Sequence, residues 1–169
     1  ARYFEEDSLK QYAAVVFLST SGDILDDLQQ ADLERFIQAG GGFVGIHESV
    51  TSEPDWPWYY KLVGAHFDGH AKVQEATLNI IDKNHPSTSS LEPIWVKTDE
   101  WYNFKDIDPD IKVVIEVDED SYEGGKNGAH HPISWYHNFD GGRSFYTAIG
   151  HDDETFSNPI FLKHLLGGI

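Results

Sequence analysis

Two histidines stand directly after apolar stretches, and they are the residues of this sequence best placed to do chemistry. His47 follows the run Gly42–Ile46 in Gly45-Ile46-His47-Glu48-Ser49, and His151 follows Ala148-Ile149-Gly150. Neutral imidazole serves as general base, hydrogen-bond donor or metal ligand, and is a rare covalent nucleophile outside phosphoryl transfer. For each, the plainer alternative is a core histidine bonded to backbone. Between them lie Gly69-His70, Asp99-Glu100-Trp101-Tyr102 and His130–His137, which add imidazoles, adjacent carboxylates and large aromatic rings. Neighbouring residues of a strand point to opposite faces, so at most one of His130 and His131 faces a site, and Pro132 beside it favours His131. The candidate acid–base set is His47, His131, His151 and either Asp99 or Glu100.

This mixture suits a carbohydrate. Aromatic rings stack on the apolar C–H faces of sugars while imidazoles and carboxylates hold hydroxyls and move protons. The candidate binding residues are Trp58, Tyr59, His70, Trp101, Tyr102, Trp135, His137 and Arg143, the last able to grip a carboxylate or to form an ordinary ion pair. A divalent metal, zinc or manganese, is the cofactor the histidines suggest. His66 and His70 are four apart and His131 and His137 can meet across a turn, but no HExxH pattern occurs, so the ligand set stays unassigned. His66, His85 and His164 read as packing or surface residues.

The elements that must position these groups are legible as an α/β pattern. Tyr12–Thr20 is a continuous apolar run of strand length, read as a strand buried on both faces of a parallel sheet. From Asp26 the spacing of Leu28, Leu33, Phe36 and Ile37 predicts a helix, with Asp26 and Gln29 in capping-box register and Gly40–Gly42 stopping it before a second strand at Phe43–Ile46. The aromatic stretch from Pro54 predicts a short helix over 58–67, more lid than core. Further strands are expected at Val73–Asp82, Ile94–Thr98, Lys112–Val117, Ile133–His137 and Ser144–Ile149, the last two joined as a hairpin through Asn138–Gly142. Glu123–Gly128 reads as a mobile loop, and 159–166 as a closing amphipathic helix.

Composition narrows the partners. The 169 residues read as one domain spanning 1–169, with no repeat or linker. Twelve Lys+Arg against 29 Asp+Glu give a formal net charge of −17, which opposes nucleic acid and anionic membrane surfaces and favours a neutral or cationic ligand. No apolar run reaches membrane-span length and no basic-then-apolar leader opens the chain, so it reads as soluble, with cytoplasm, periplasm and secretion left open. Without a cysteine there is no disulfide, thiolate metal site or thiol nucleophile. The opening Ala1, followed by Glu5, Glu6 and Asp7, suggests a trimmed or processed start.

Several ordered motifs carry a family resemblance: GGGFVGIHESVTSEPDWPWYYKLVGAHFDGH at Gly40–His70, TDEWYNF at Thr98–Phe104, HPISWYH at His131–His137 and GGRSFYTAIGH at Gly141–His151. Together they resemble the ThuA-like, or trehalose-utilisation, family over nearly the whole chain. The resemblance implies a class I glutamine-amidotransferase-like fold, a flavodoxin-like three-layer sandwich with a mostly parallel sheet, in a family tied to use of trehalose and other glucosides. It also implies that the first strand and helix of the family are missing here, so the domain is expected to be truncated at its N-terminus. Where amidotransferases carry the elbow cysteine this chain has His47, so glutamine hydrolysis through a thioester is not expected, while His151 lies where their catalytic histidine would be. Ser49 replaces the alanine common in the family, and Glu48 adds a charge.

The leading expectation is a carbohydrate-processing domain, an isomerase, lyase or hydrolase acting on a sugar or keto-glycoside by His/carboxylate proton transfer. The alternatives are a non-catalytic glycan-binding module of a larger secreted protein and an assembly module, for instance a homo-oligomer, using its aromatic residues as an interface.

Overall fold

A computed structural model describes residues 3–169; Ala1, and with it the expectation about the chain's start, lies outside the described residues. A short helix α1 (Glu6–Leu9) precedes strand β1 (Ala14–Leu18), helix α2 (Asp27–Gln38) and strand β2 (Gly42–Ile46). Helix α2 begins as its sequence dictates. The Asp26 carboxylate accepts from the amides of Leu28 and Gln29, and the Gln29 side chain returns a bond to the Asp26 amide. Its apolar stripe buries Leu33 and Ile37 completely, each contributing about 1.5–3 kcal/mol of hydrophobic stabilisation.

Beyond β2 come helix α3 (Pro57–Val63), strands β3 (His66–His70), β4 (Gln74–Ile80), β5 (Ile94–Asp99), β6 (Tyr102–Lys105), β7 (Lys112–Val117), β8 (Pro132–Phe139) and β9 (Gly142–Thr147), and the terminal helix α4 (Pro159–Gly168). Seven strands form one sheet in the order β1-β2-β9-β8-β7-β4-β5, and β3 and β6 form a separate antiparallel pair. Parallel pairing is confined to β1, β2 and β9; the remaining neighbours are antiparallel, so that β8 and β4 run against the other strands. The α/β reading is therefore right, and the parallel part of the sheet is the part that carries His47 and the approach to His151.

Strand β2 is buried at every residue and lies between β1 and β9, as its unbroken apolar sequence requires. Strand β1 departs from expectation. Read as buried on both faces, it is an edge strand with Val16 45% and Leu18 52% exposed, and only Phe17 turns fully into the core. The segment read as a lid is also core: α3 ends at Val63, buries Tyr59, Leu62 and Val63, and Phe17, Phe43 and Tyr59 pack ring to ring beneath it. His66, expected on that helix, instead opens β3 and stacks on Tyr60. The loop 123–128, read as mobile, is tied down: Asn103 bonds the Gly124 carbonyl and the Lys126 amide, and Asn127 exchanges two bonds with the Phe104 backbone.

Candidate functional site

Strand β2 delivers His47 on a sharp elbow. The residue has φ 51°, a left-handed conformation that an L-residue holds only when its surroundings fix it. Two hydrogen bonds and a turn do so. The Tyr146 hydroxyl donates to the His47 carbonyl at 2.7 Å, His47 Nδ1–H donates to the Ala148 carbonyl at 2.7 Å, and the chain continues into a 3-10 turn, His47–Thr51. Gly45 is required just before it, because a Cβ there would lie 2.8 Å from Ser49 Oγ. With Nδ1 committed to a carbonyl, the Nε2 lone pair is the free one, and it accepts from the Tyr102 hydroxyl at 2.9 Å. Burial pushes the His47 imidazole below the usual histidine range, so the ring is neutral at pH 7. Burial and nearby carboxylates, Glu100 foremost, hold the Tyr102 phenol well above the usual tyrosine range, so it stays an O–H donor.

Three further groups converge there. Glu100, the residue after β5, places Oε2 3.6 Å from His47 Nε2 and 3.5 Å from His151 Nδ1, while Oε1 lies 2.9 Å from His70 Nδ1, a nitrogen hydrogen-bonded to the Ala71 carbonyl. The His47 and His151 rings meet edge to face at 5.4 Å. Strand pairing brings His70 in, since β3 and β6 set His70 opposite Tyr102. The mouth is solvent-accessible: the His151 side chain is 37% and that of His70 48% exposed, against 13% for Glu100. His47, Glu100 and His151 each offer a ligand atom within 4.8 Å of the others, a group that could hold a metal ion.

Asp99 and Glu100, interchangeable in the sequence reading, part company. Asp99 is fully buried and faces away from the opening, its oxygens filled by the amides of Glu100 (2.9 Å), His151 (3.1 Å) and Gly150 (3.2 Å) and by Lys97 Nζ (3.0 Å). It fixes the backbone on both sides of the cluster. Lys97, which the sequence reading passed over, neutralises it and also donates to Thr155 Oγ1. Strand alternation, applied to Asp99 and Glu100 as it was to His130 and His131, is the signal that separates them.

The other sequence candidates lie elsewhere. His131 is buried behind the site, with Nδ1 2.7 Å from Glu119 and Nε2 2.7 Å from the Tyr102 carbonyl, so it supports Tyr102 from beneath; His130 is exposed. Tyr59, Trp101, Trp135 and His137 are core residues that spend their polar atoms on the backbone oxygens of Ser49, Gln74, Val63 and Leu62 respectively. They have no face left for a sugar. Trp58 stacks on Trp56 and donates to Asp140 in the β8–β9 turn, and Arg143 pairs with Gly42 at the far end of β9, roughly 13 Å of strand from Thr147. The ring surfaces at the cluster are those of Tyr102, Phe67 and His70.

A family model described as trehalose utilisation matches residues 1–169. The chain belongs to the ThuA family. Among solved structures, a ThuA-like protein from Bacteroides uniformis superposes with a TM-score of 0.82 at 25% identity, over 98% of this chain and 71% of that one. A ThuA-like protein from Parabacteroides merdae follows at 0.76 and 20%, over 95% and 70%. A β-galactosidase from Bacillus circulans shares the fold at 0.60 and 17%, over 96% of this chain but 22% of its own. No curated protein matches. No helix among the described residues is long and apolar enough to cross a membrane.

Proposed function

We propose that this ThuA domain binds a sugar or keto-glycoside, of the kind met in trehalose or other glucoside use, over His47, Glu100 and His151 and acts on it by His/carboxylate proton transfer. The observation that carries the reading is the meeting of an unprotonated imidazole nitrogen, a carboxylate and a protonated phenol beneath a solvent-accessible mouth beside the ends of parallel strands, where α/β sheets gather ligands. A ketone acidifies the C–H beside it. Neutral His47 or Glu100 takes that proton, and the Tyr102 O–H donates to the oxygen on which charge collects. Isomerisation and elimination both start this way without a nucleophile from the protein, and elimination becomes net hydrolysis once water adds to the unsaturated product. Glutamine hydrolysis through a thioester is not available to a chain without cysteine. The cofactor that fits the same donor set is a divalent cation, zinc or manganese.

The test is turnover of keto-glucosides against the parent glucosides. Wild-type protein should convert a keto-glucoside, and Glu100→Gln and His47→Ala should each lose at least about 100-fold in kcat/KM, the scale of lost acid–base catalysis. No conversion by folded wild-type protein sinks the reading. A second reading, a sugar-binding module without chemistry, draws on the β-galactosidase, in which the shared fold is a minor part of a larger chain. It predicts sugar binding that survives both substitutions.

A further inference from the structure

We propose that His47 Nε2, Glu100 Oε2 and His151 Nδ1 form a mononuclear zinc centre with one position open to the solvent-facing mouth. The inference rests on reading this cluster as the working site; it adds the identity of the ion and the way the protein holds it, and it leaves the proton transfer to Glu100 Oε1, the carboxylate oxygen outside the ligand set, rather than to His47. The carboxylate oxygen lies 3.6 and 3.5 Å from the two imidazole nitrogens. Ligands at zinc bond lengths sit about 3.3 Å apart along a tetrahedron's edge, so the carboxylate oxygen needs to approach each nitrogen by only a few tenths of an ångström, with all three ligand atoms within 4.8 Å of one another. An octahedral ion of similar bond length needs adjacent ligands at about 2.9 Å, a much larger collapse, and two nitrogens with one oxygen suit zinc better than oxygen-seeking manganese.

The surroundings are those of a metal site. A ligating histidine ordinarily donates its second nitrogen to a carbonyl or carboxylate, which fixes tautomer and ring angle; His47 Nδ1 does this to the Ala148 carbonyl. Glu100 divides its oxygens, Oε1 lying 2.9 Å from His70 Nδ1 and Oε2 facing the His47 and His151 nitrogens. Among the described residues Glu100 forms ion pairs only with histidines, and Lys97 is engaged by Asp99, so the Glu100 charge is not already neutralised by an amine. The Asp99 clamp fixes the amides of both Glu100 and His151, making a preformed rather than an induced site. Tyr102, now bonded to His47 Nε2, must yield that lone pair to the ion, which leaves its hydroxyl free for whatever fills the fourth position.

The experiment is calorimetric titration of zinc chloride, and separately manganese chloride, into chelator-stripped full chain, with cobalt(II) spectra as a geometric readout. One zinc per chain is expected, binding manganese at least tenfold more weakly, with the intense visible bands of tetrahedral cobalt. Glu100→Gln and the partly exposed His151→Ala should each abolish saturable zinc binding while keeping the wild-type circular dichroism spectrum; His70→Ala should weaken it about tenfold. His130→Ala, on an exposed ring, should change nothing. No stoichiometric zinc, octahedral cobalt spectra, or zinc binding indifferent to Glu100→Gln and His151→Ala would each overturn the proposal. Keto-glucoside turnover by a protein that binds no stoichiometric zinc would overturn this inference and leave the functional reading standing; stoichiometric zinc without turnover would do the reverse.

Discussion

Histidines in this molecule have three distinct fates, and one makes a prediction of its own. His164 is wholly buried on α4, with Nδ1 on the Ser87 carbonyl and Nε2 between the Ser134 and Thr147 hydroxyls. Burial pushes its pKa down to about 4 from 6.5. Between those values the unfolded chain binds a proton that the folded chain refuses, so stability is complete above pH 6.5 and falls as pH drops toward 4, by about 3 kcal/mol in all. His47 adds in the same direction. Urea midpoints measured from pH 7 to 4.5 should show this decline, and His164→Leu should flatten it; equal slopes for the two proteins would refute the assignment. At this scale the sequence told which residues could do chemistry but not which way they faced. Trp101, Trp135, Tyr59 and His137 have the composition of a sugar cleft and the burial of a core, and only packing partners distinguish the two.

Elements, rather than residues, bring the cluster together, and the Lys97–Asp99 pair is the joint. Both side chains are nearly inaccessible, and together they tie the end of β5 to the turn after β9 and, through Thr155, to the 3-10 helix Asp153–Ser157. Removing one partner strands the other's charge, at a cost of about 3–5 kcal/mol. Asp99→Asn and Lys97→Met should therefore each destabilise strongly, while the double variant should lose much less than the sum, a coupling readable in a double-mutant cycle. Additive losses would mean the pair does not act as a unit. Asp26→Ala, which removes the α2 cap, should cost about 1 kcal/mol in the same assay. Capping box, apolar β2 and the β8–β9 hairpin were legible because each is a local pattern. Strands β3 and β6 were not, since His66-Phe67-Asp68-Gly69-His70 has neither alternation nor β-branched residues, and it is a strand only because β6 lies beside it.

At the scale of the whole molecule, charge is the dominant fact. A formal net charge of −17 on 169 residues is self-repelling, and dissolved salt screens repulsion between exposed groups more than it weakens the few buried pairs. The melting temperature should accordingly rise from low salt to about 0.15 M sodium chloride, where the Debye length has shrunk to about 8 Å; a fall would show that attractive surface pairs outweigh the net charge. The same field disfavours phosphorylated sugars at the mouth, so a keto-glucoside should compete better than its phosphate ester. The Asp99 carboxylate also does something no ligand does. It gathers the amides of Glu100, Gly150 and His151 into one sheltered knot directly beneath the cluster. In a nitrogen-15 NMR spectrum these three signals form a built-in gauge, slow to exchange with deuterium and the first to move when an ion or a sugar arrives above them.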